Sequence, residues 1–514
     1  MRGAIIGIDL GTTNSCVAVL EGGQPVVIHN HEGGRTTPSM VSWTPSGEVV
    51  VGAASKRQMV TNPTRTVFGV KRLIGRRLDS PVAQALAASL PYRLTAAPSG
   101  DARVRIDDAE LSPEEISAHI LRKMKQIAED YLGQPVAEAI ITVPAYFDDV
   151  QRRATRDAGA IAGLEVRAIL NEPTAAALAY GAHRGVDQKL AVFDLGGGTF
   201  DISILNMEGG VFEVLATSGD THLGGDDFDR RVIEILAEEF RAQEGLDLLS
   251  DCVALQRLKE AAERAKLELS VAMTTEINLP FIAADQAGPR HLQRELSRGE
   301  LEAACRDLIE ALEVPCRKAL ADARLAPGDI DQVLLVGGMT RMPAVAAKVV
   351  DIFGKPPSKG VNPDEIVAMG AAVQSGIVGG ELTDVVLLDV TPHSLGVRVA
   401  GDRTSVVIPA NTTIPTREEK VFATTEDEQT FVAIEVVQGD SPRASDNRLL
   451  GRFVLGDLPG RPAGRVRVAV AFTLDADGLL EVTATESETG RAASVQIEAK
   501  SGLSSADIER LRAL

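Results

Sequence analysis

Two short stretches place an aspartate, glycines and threonines in one frame: "IIGIDLGTTNSCVAVL" at 5–20 and "LAVFDLGGGTFDISIL" at 190–205. In each, an apolar run ends in Asp-Leu-Gly, and a second apolar run follows a Gly- and Thr-rich turn. Glycine leaves backbone N–H groups unobstructed, and a concave set of such groups binds anions, phosphate above all. Thr12, Thr13 and Thr199 add hydroxyl donors. Asp9 and Asp194 stand at the strand ends, facing the same space, where a carboxylate can hold a Mg2+ that keeps several of its waters. Two such hairpins facing each other would grip a polyphosphate from both sides. One "DLGTT" alone reads equally well as an ordinary hairpin, and it is the second copy that shifts the balance toward phosphate. No GxxxxGK[ST] occurs, and no GxGxxG opens a helix, so neither a P-loop nor a dinucleotide fold is supported. "THLGGDDFD" (221–229) and "VLLVGGMTRMP" (333–343) are further glycine turns. In the second, a buried strand ends in Gly337-Gly338, where a flat base or ribose could approach the backbone.

These turns need strands and helices to carry them. Up to about residue 380, strand-like and helix-like segments alternate, which argues for an α/β architecture. Residues 114–131 read as a helix: Ser112 caps it, Pro113 suits its first turn, and Glu115 completes a capping box. Its apolar face is Ile116, Ile120, Met124, Ile127 and Tyr131. "AIITV" (139–143) reads as a buried strand stopped by Pro144. Residues 256–269 form an amphipathic helix that puts Glu263, Lys266 and Ser270 on one face, where Glu263 and Lys266 could simply pair with each other. The character changes at "ELTDVVLLDVTP" (381–392), after which helical periodicity disappears. "FVAIEVV" (431–437) and "VRVAVAF" (466–472) alternate, with Val466, Val468, Val470 and Phe472 on one face. "DADG" (475–478) followed by "LLEVTA" reads as a turn and a returning strand. An antiparallel β-sandwich of about 110 residues is expected here. A last helical start, "SSADIERLRAL", closes the chain.

Composition bounds the possibilities. The chain has 514 residues, 44% hydrophobic and 24% charged, with a formal net charge of −19. That is the profile of a globular protein, and its negative balance disfavours nucleic acid as a partner. No stretch approaches the roughly 18 apolar residues of a membrane span, and the N-terminal "AIIGI" is too short for a signal-peptide core. A cytoplasmic protein, not a membrane one, is expected. Cys16, Cys252, Cys305 and Cys316 are scattered without a CxxC pair, so neither a disulfide framework nor a zinc site is implied. His29 and His31 read as part of a polar loop.

The motifs together resemble the seventy-kilodalton heat-shock chaperones of the DnaK type. "GIDLGTTNSCVAV", "VKRLIGRR", "ITVPAYF", "NEPTAAALAYG", "DLGGGTFD", "GDTHLGG", "LVGGMTRMP", "VNPDEIVAMGAA", "VLLDVTPHSLG" and "NTTIPT" occur in order between about residues 4 and 503. The resemblance implies an α/β, actin-like ATPase of two duplicated lobes over 1–383, a linker at 384–392, and a peptide-binding sandwich over 393–503. It implies that residues 504–514 begin a helical lid that is cut short, with fast peptide exchange as the consequence. It implies ATP and ADP as ligands, with Mg2+ and K+. Thr12, Thr13 and Asn14, with Gly11, would meet phosphate from one lobe, and Gly196, Gly197, Gly198 and Thr199 from the other, with Gly224 and Gly225 beside them. Asp9, Asp194 and Glu172 would hold Mg2+, mainly through water. Lys71 would stabilise charge on the γ-phosphate and orient the attacking water, acting with Glu172, Asp194 and Thr199 in catalysis. Glu263, Lys266, Ser270, Gly337, Gly338, Arg341 and Asp364 would surround the nucleoside.

In the sandwich, the resemblance makes Val397, Phe422, Val432, Ile434 and Val468 the lining of an apolar peptide pocket, with Ala400 and Thr425 arching over it. An extended peptide there would pair with a sheet edge and insert one apolar side chain. Val385, Val386, Leu387, Leu388 and Asp389 would be the linker that couples the domains. Unfolded polypeptides, a J-domain co-chaperone and a nucleotide exchange factor are the implied partners, and the chain is expected to work mostly as a monomer. Four positions depart from the pattern. Leu267 stands where some relatives stack an Arg on adenine, and Met339 replaces a polar residue. Ala168 replaces a basic residue in the J-domain docking region, and Ala400 is small where the arch is often bulky. The rival readings are an actin-fold ATPase or kinase of another class, and an exchange-factor relative that uses nucleotide only structurally.

Overall fold

The computed structural model describes residues 3–181, 187–488, 490, 492–496 and 503–513. Each of the two hairpins is the centre of its own sheet, and the two sheets have one plan. In the first, Ile5–Asp9 pairs in parallel with Glu138–Val143, which pairs in parallel with Glu165–Asn171. On its other side Ile5–Asp9 turns back antiparallel into Asn14–Glu21 and then Gln24–Val27. In the second, Gln188–Leu195 pairs in parallel with Gln332–Val336 and antiparallel with Phe200–Glu208, which leads to Val211–Asp220. The parallel centres are buried on both faces by helices, as runs such as Ile140-Ile141 and Val192-Phe193 require. Each sheet has its own hydrophobic core, so the duplicated motif marks two lobes.

Between the sheets lie two helices made of small residues, Glu172–Gly181 and Ile366–Gly379, whose apolar faces share one core with strands of both lobes. Their backbones nearly touch. A Cβ on Gly370 would stand 1.7 Å from the Ala175 carbonyl oxygen, and one on Gly7 would stand 2.3 Å from the Ala372 nitrogen. "PTAAALAYG" and "AMGAAV" are therefore small because the lobes meet across them.

The helix expected at 114–131 spans Pro113–Leu132. The Glu115 N–H donates to Ser112 Oγ at 3.1 Å, and Glu115 accepts the Ser112 N–H at 2.7 Å. Ile116, Ile120, Met124 and Ile127 are buried, but Tyr131 is 48% exposed. The final turn runs past the core, and the phenol places its hydroxyl on Glu21 at the surface. His31 pairs with Asp130, and Asn30 ties its loop together through Gly34 and Thr36.

Beyond the lobes, two antiparallel four-stranded sheets form a sandwich. Arg403–Ile408, Leu395–Val399, Val432–Gln438 and Arg448–Leu455 make one. Thr416–Ala423, Arg467–Leu474, Leu480–Glu486 and Ala492–Gln496 make the other. Val466, Val468, Val470 and Phe472 point into the shared core, as their alternation requires.

The segment 384–392 contains a strand, Val386–Val390, that lies beside the second lobe's sheet. Val386, Leu387 and Leu388 run parallel to Val211, Phe212 and Glu213. Asp389 and Val390 pair on the other side with Thr413–Ile414, an outer strand of this sheet whose Ile414 enters the sandwich core. The sandwich also sits on the first lobe through the helix Asp149–Ile161. Val150 enters the sandwich core. Asp149 accepts the Leu480 N–H at 2.8 Å, and Arg153 donates to the Leu480 carbonyl at 2.6 Å. Asp477 accepts the Ile169 N–H at 3.1 Å and pairs with Arg156. The last helix, Ser505–Arg512, packs on the first lobe: Leu511 joins that core, and Arg122 donates to its carbonyl at 3.0 Å.

The two-helix seam gives a direct test. A methyl at Gly370 must push the helices apart, so Gly370→Ala should cost about 1–3 kcal/mol of stability, read as an earlier midpoint in urea unfolding. An unchanged midpoint would mean that the seam is looser than described.

Candidate functional site

The two hairpin turns meet. A Cβ on Gly197 would stand 2.0 Å from Thr13 Oγ1, so the second turn approaches the first as closely as a glycine allows. The loop after Asp220 is tied to the second turn, with the Gly225 N–H on the Gly196 carbonyl at 2.9 Å and the Asp226 N–H on Gly197 at 2.8 Å. Gly337, at the end of Gln332–Val336, has φ 81°, and a Cβ there would strike the Leu195 carbonyl at 2.3 Å. Glycine is needed at this point both for its left-handed backbone and for its missing side chain.

Between these turns lies a cavity of about 300 Å³, within the range of small-molecule sites. Its inner end is lined by Asp9, Gly11, Thr12, Thr13, Asn14, Lys71, Glu172, Asp194, Gly196, Gly197 and Thr199. Gly225, Glu263, Lys266, Ser270, Gly337, Gly338, Arg341 and Asp364 line the rest. Gly198 and Gly224 bring the two loops together: a Cβ on Gly224 would stand 2.5 Å from the Gly198 nitrogen, so both let the loops stack. Met339 and Leu267 both line the outer part, Met339 buried and Leu267 exposed.

The inner end is dominated by negative charge. Lys71 Nζ lies 2.5 Å from Glu172 Oε1, both side chains almost wholly buried. Asp9 accepts from Thr142 at 3.3 Å. Burial, with repulsion from Glu172 next, pushes the Asp9 carboxyl up to about 7 against the pull of Lys71. Burial, then Glu172, Asp201 and Asp9, pushes Asp194 well above the ordinary carboxylate range. Asp201 sits opposite Asp194 in the hairpin register and accepts the Tyr146 N–H at 2.9 Å. Burial, followed by Glu172, raises it to about 7. One ammonium stands among four carboxylates, and a cation entering the cavity beside Asp9, Glu172 and Asp194 would lower the raised values together.

Glu263 and Lys266 do not pair with each other. Lys56, from the first lobe, reaches Glu263 at 3.0 Å, while Lys266 holds Asp229 at 2.9 Å and the Gly225 carbonyl at 3.0 Å. Arg341 pairs with Asp364 at 2.6 Å. Asp201 and Lys56 were not anticipated from the sequence. Asp201 had a signal, since it mirrors Asp194 across the turn; Lys56 had none, its partner being 207 residues away.

The residues expected to hold a peptide are brought together in the sandwich. Val397, Ile434 and Val468 are buried in its core, with Phe422 and Val432 half-buried at its margin. Ala400 and Thr425 lie on exposed loops. Of the residues expected to form a linker, Asp389 is buried with its carboxylate accepting from Thr174 at 2.9 Å, and Val386 is half exposed. Ala168 is half-buried in the strand Glu165–Asn171, beside the Ile169–Asp477 contact. Among the described residues, no helix is long and apolar enough to cross a membrane. Compared with known families, the chain matches the model described as Hsp70 protein over residues 5–513.

The raised carboxyl of Asp201 has a definite sign. Its folded value exceeds its unfolded one, so its contribution to stability is present below about pH 4 and is lost as pH rises to about 7. Asp201→Asn keeps an acceptor for the Tyr146 N–H and removes this loss. In metal-free protein the variant should gain on the wild type by up to about 1.4 kcal/mol per pH unit between pH 5 and 7, measured by urea unfolding. Parallel pH curves for the two proteins would place the Asp201 carboxyl at an ordinary value.

Proposed function

The chain belongs to the Hsp70 family, and on that premise we propose that it is an ATP-dependent chaperone of the DnaK type, working in the cytoplasm on extended apolar segments of unfolded polypeptides. The observation that carries the reading is the continuity of one sheet. The strand containing Asp194 leads through Phe200–Glu208 and Val211–Asp220 to the linker strand Val386–Val390, and from there to Thr413–Ile414, whose Ile414 packs in the sandwich core. A change at the phosphate end therefore has a hydrogen-bonded path to the domain whose apolar core would take the client.

In this reading the triphosphate lies between the two turns, with the N–H groups and hydroxyls of Thr12, Thr13 and Thr199 around it. Mg2+ would supply charge neutralisation on the β- and γ-phosphates, held through Asp9, Asp194 and Glu172. Lys71, fixed by Glu172, orients the attacking water and stabilises charge on the γ-phosphoryl group. Water attacks phosphorus, the bond to the β-phosphate oxygen breaks, and ADP and phosphate result. The Gly337-Gly338 turn and the face of Glu263, Lys266 and Ser270 hold the nucleoside. The described arrangement, with the linker strand paired and the sandwich seated on Asp149–Ile161, corresponds to the state that releases peptide. Loss of that pairing after hydrolysis would free the sandwich to close on its client. The coupling is reciprocal, so peptide should also speed hydrolysis. A J-domain partner and an exchange factor would complete the cycle, acting on a monomer.

The test is ATP turnover with and without an unfolded apolar peptide. Stimulation by peptide is expected. Lys71→Ala should lower turnover at least about 100-fold while ATP binding stays within a few-fold of the wild type. Leu388→Asp, in the linker strand, should keep basal turnover and lose the stimulation. Turnover that ignores peptide in the wild type, or ATP binding lost in Lys71→Ala, would refute this reading.

A further inference from the structure

A histidine stands where the sandwich meets the lobes. His393 lies between the strand Val386–Val390 and the sandwich strand Leu395–Val399, and it is half-buried. Its ring meets the ring of Tyr146 edge to face, with centroids 4.2 Å apart. Its Nε2 lies 3.2 Å from the Tyr146 carbonyl oxygen. A carbonyl only accepts, so Nε2 carries the hydrogen, and in the neutral ring Nδ1 carries none. Tyr146 belongs to the first lobe, between the strand Glu138–Val143 and the helix Asp149–Ile161. Its own N–H is held by Asp201 at 2.9 Å. One residue thus touches the inner carboxylates on one side and the joint with the sandwich on the other.

The charged groups around the imidazole come from both sides of this joint and are already engaged. From the first lobe, Asp148 accepts the Gln151 N–H at 2.9 Å and pairs with Arg448 at 3.2 Å. Arg152, also from the first lobe, is buried and donates to the Phe147 carbonyl at 3.2 Å, the Ala145 carbonyl at 3.1 Å and Asn171 at 2.7 Å. From the sandwich, Asp440 accepts the Ser394 N–H at 3.1 Å. Burial pushes the Tyr146 phenol up to about 12, so it stays neutral where histidine titrates. A proton on Nδ1 would place a second cation near Arg152, at a joint whose two carboxylates have partners. Burial, with Arg152 adding to it, holds the imidazole below its ordinary range, against the Tyr146 carbonyl, Asp148 and Asp440.

We propose that His393 makes the seating of the sandwich sensitive to protons: the neutral imidazole lets the sandwich sit on Asp149–Ile161, and protonation below neutral pH lifts it away. The seated state disfavours the proton. The unseated state, with His393 in water, takes it up with an ordinary value of about 6.5. Seating is therefore fully supported above about pH 7 and is weakened as pH falls through about 6.5, by up to about tenfold between pH 7.5 and 5.5. If the seated state is the one that releases peptide, acid makes the protein keep its client. That consequence rests on the chaperone reading; the proton sensitivity of the seat does not.

The test is amide hydrogen exchange of the full chain, read by mass spectrometry at about pH 7.5 and 5.5 on peptides covering Val386, Leu387, Leu388 and Leu480. Asp149 and Asp477 hold the same seat and are also raised by burial, so the wild type is compared with His393→Gln at each pH. Glutamine keeps a donor for the Tyr146 carbonyl and takes up no proton. The two proteins should exchange alike at the higher pH, and the wild type up to about tenfold faster at the lower. Equal rates at both would overturn the proposal. Should His393→Gln be unseated already at the higher pH, the imidazole itself decides. In a chain carrying isotope-labelled histidine, the NMR signal missing from the variant should titrate clearly below about 6.5, and a value there or above sinks the idea. The exchange is measured with and without saturating ATP. A seat that responds to pH through His393 but not to ATP leaves the proton sensitivity standing and removes the coupled-chaperone reading.

Discussion

The inner cavity is governed by one electrostatic problem, four buried carboxylates around a single lysine. Removing ions from water costs several kcal/mol each unless other groups replace the lost solvation. Asp9, Glu172, Asp194 and Asp201 come from three strands and the first turn of a helix, so no single element can gather or disperse them. Glu172 gains from its place at a helix N-terminus, Asp9 from Thr142 and Asp201 from the Tyr146 N–H. The remaining repulsion is held in check only because both lobes are pressed together, through the Gly370–Ala175 seam below and the Gly197–Thr13 approach above. The architecture keeps this charge assembled at the wall of the cavity.

Much of this was legible in the sequence because it is local. The hairpins, the capping box at Ser112 and Glu115, and the alternation at 466–472 each follow from residues within a few positions of one another. The duplication was legible for the same reason, one local pattern occurring twice. Tyr131 misled because a helical stripe says which residues share a face but not where the core beneath it stops. Gly198 and Gly224 show a related ambiguity, since a glycine that lets a ligand approach and a glycine that lets a loop approach look alike in one dimension. What the sequence could not show is pairing across long separations. Lys56 finds Glu263, Arg35 finds Glu365 at 2.8 Å, and Arg448 reaches Asp148 at 3.2 Å and the Gly75 carbonyl at 2.5 Å. Each is an ordinary surface charge until the fold supplies its partner.

The seating of the sandwich on Asp149–Ile161 follows the same principle with fewer charges. Asp149 and Arg153, one helical turn apart, hold the N–H and the carbonyl of Leu480, while Val150 between them enters the sandwich core. Burial raises the Asp149 carboxyl above its ordinary range, against the pull of Arg153. Removing Arg153 alone would leave that carboxylate buried and poorly answered, so this contact favours being wholly made or wholly broken. Such all-or-none contacts suit a joint with two positions better than one that slides.

The strand Val386–Val390 has a mechanical consequence. It is bonded along one edge to Val211, Phe212 and Glu213 and along the other to Thr413 and Ile414. A force drawing the lobes and the sandwich apart along the strand axis loads those rungs in shear, where they share the strain and yield together. A force directed across the sheet loads them one at a time and peels them. The joint is thus stiff in one direction and weak in another. A pull on the sandwich would separate it from the lobes readily or hardly at all, according to its angle.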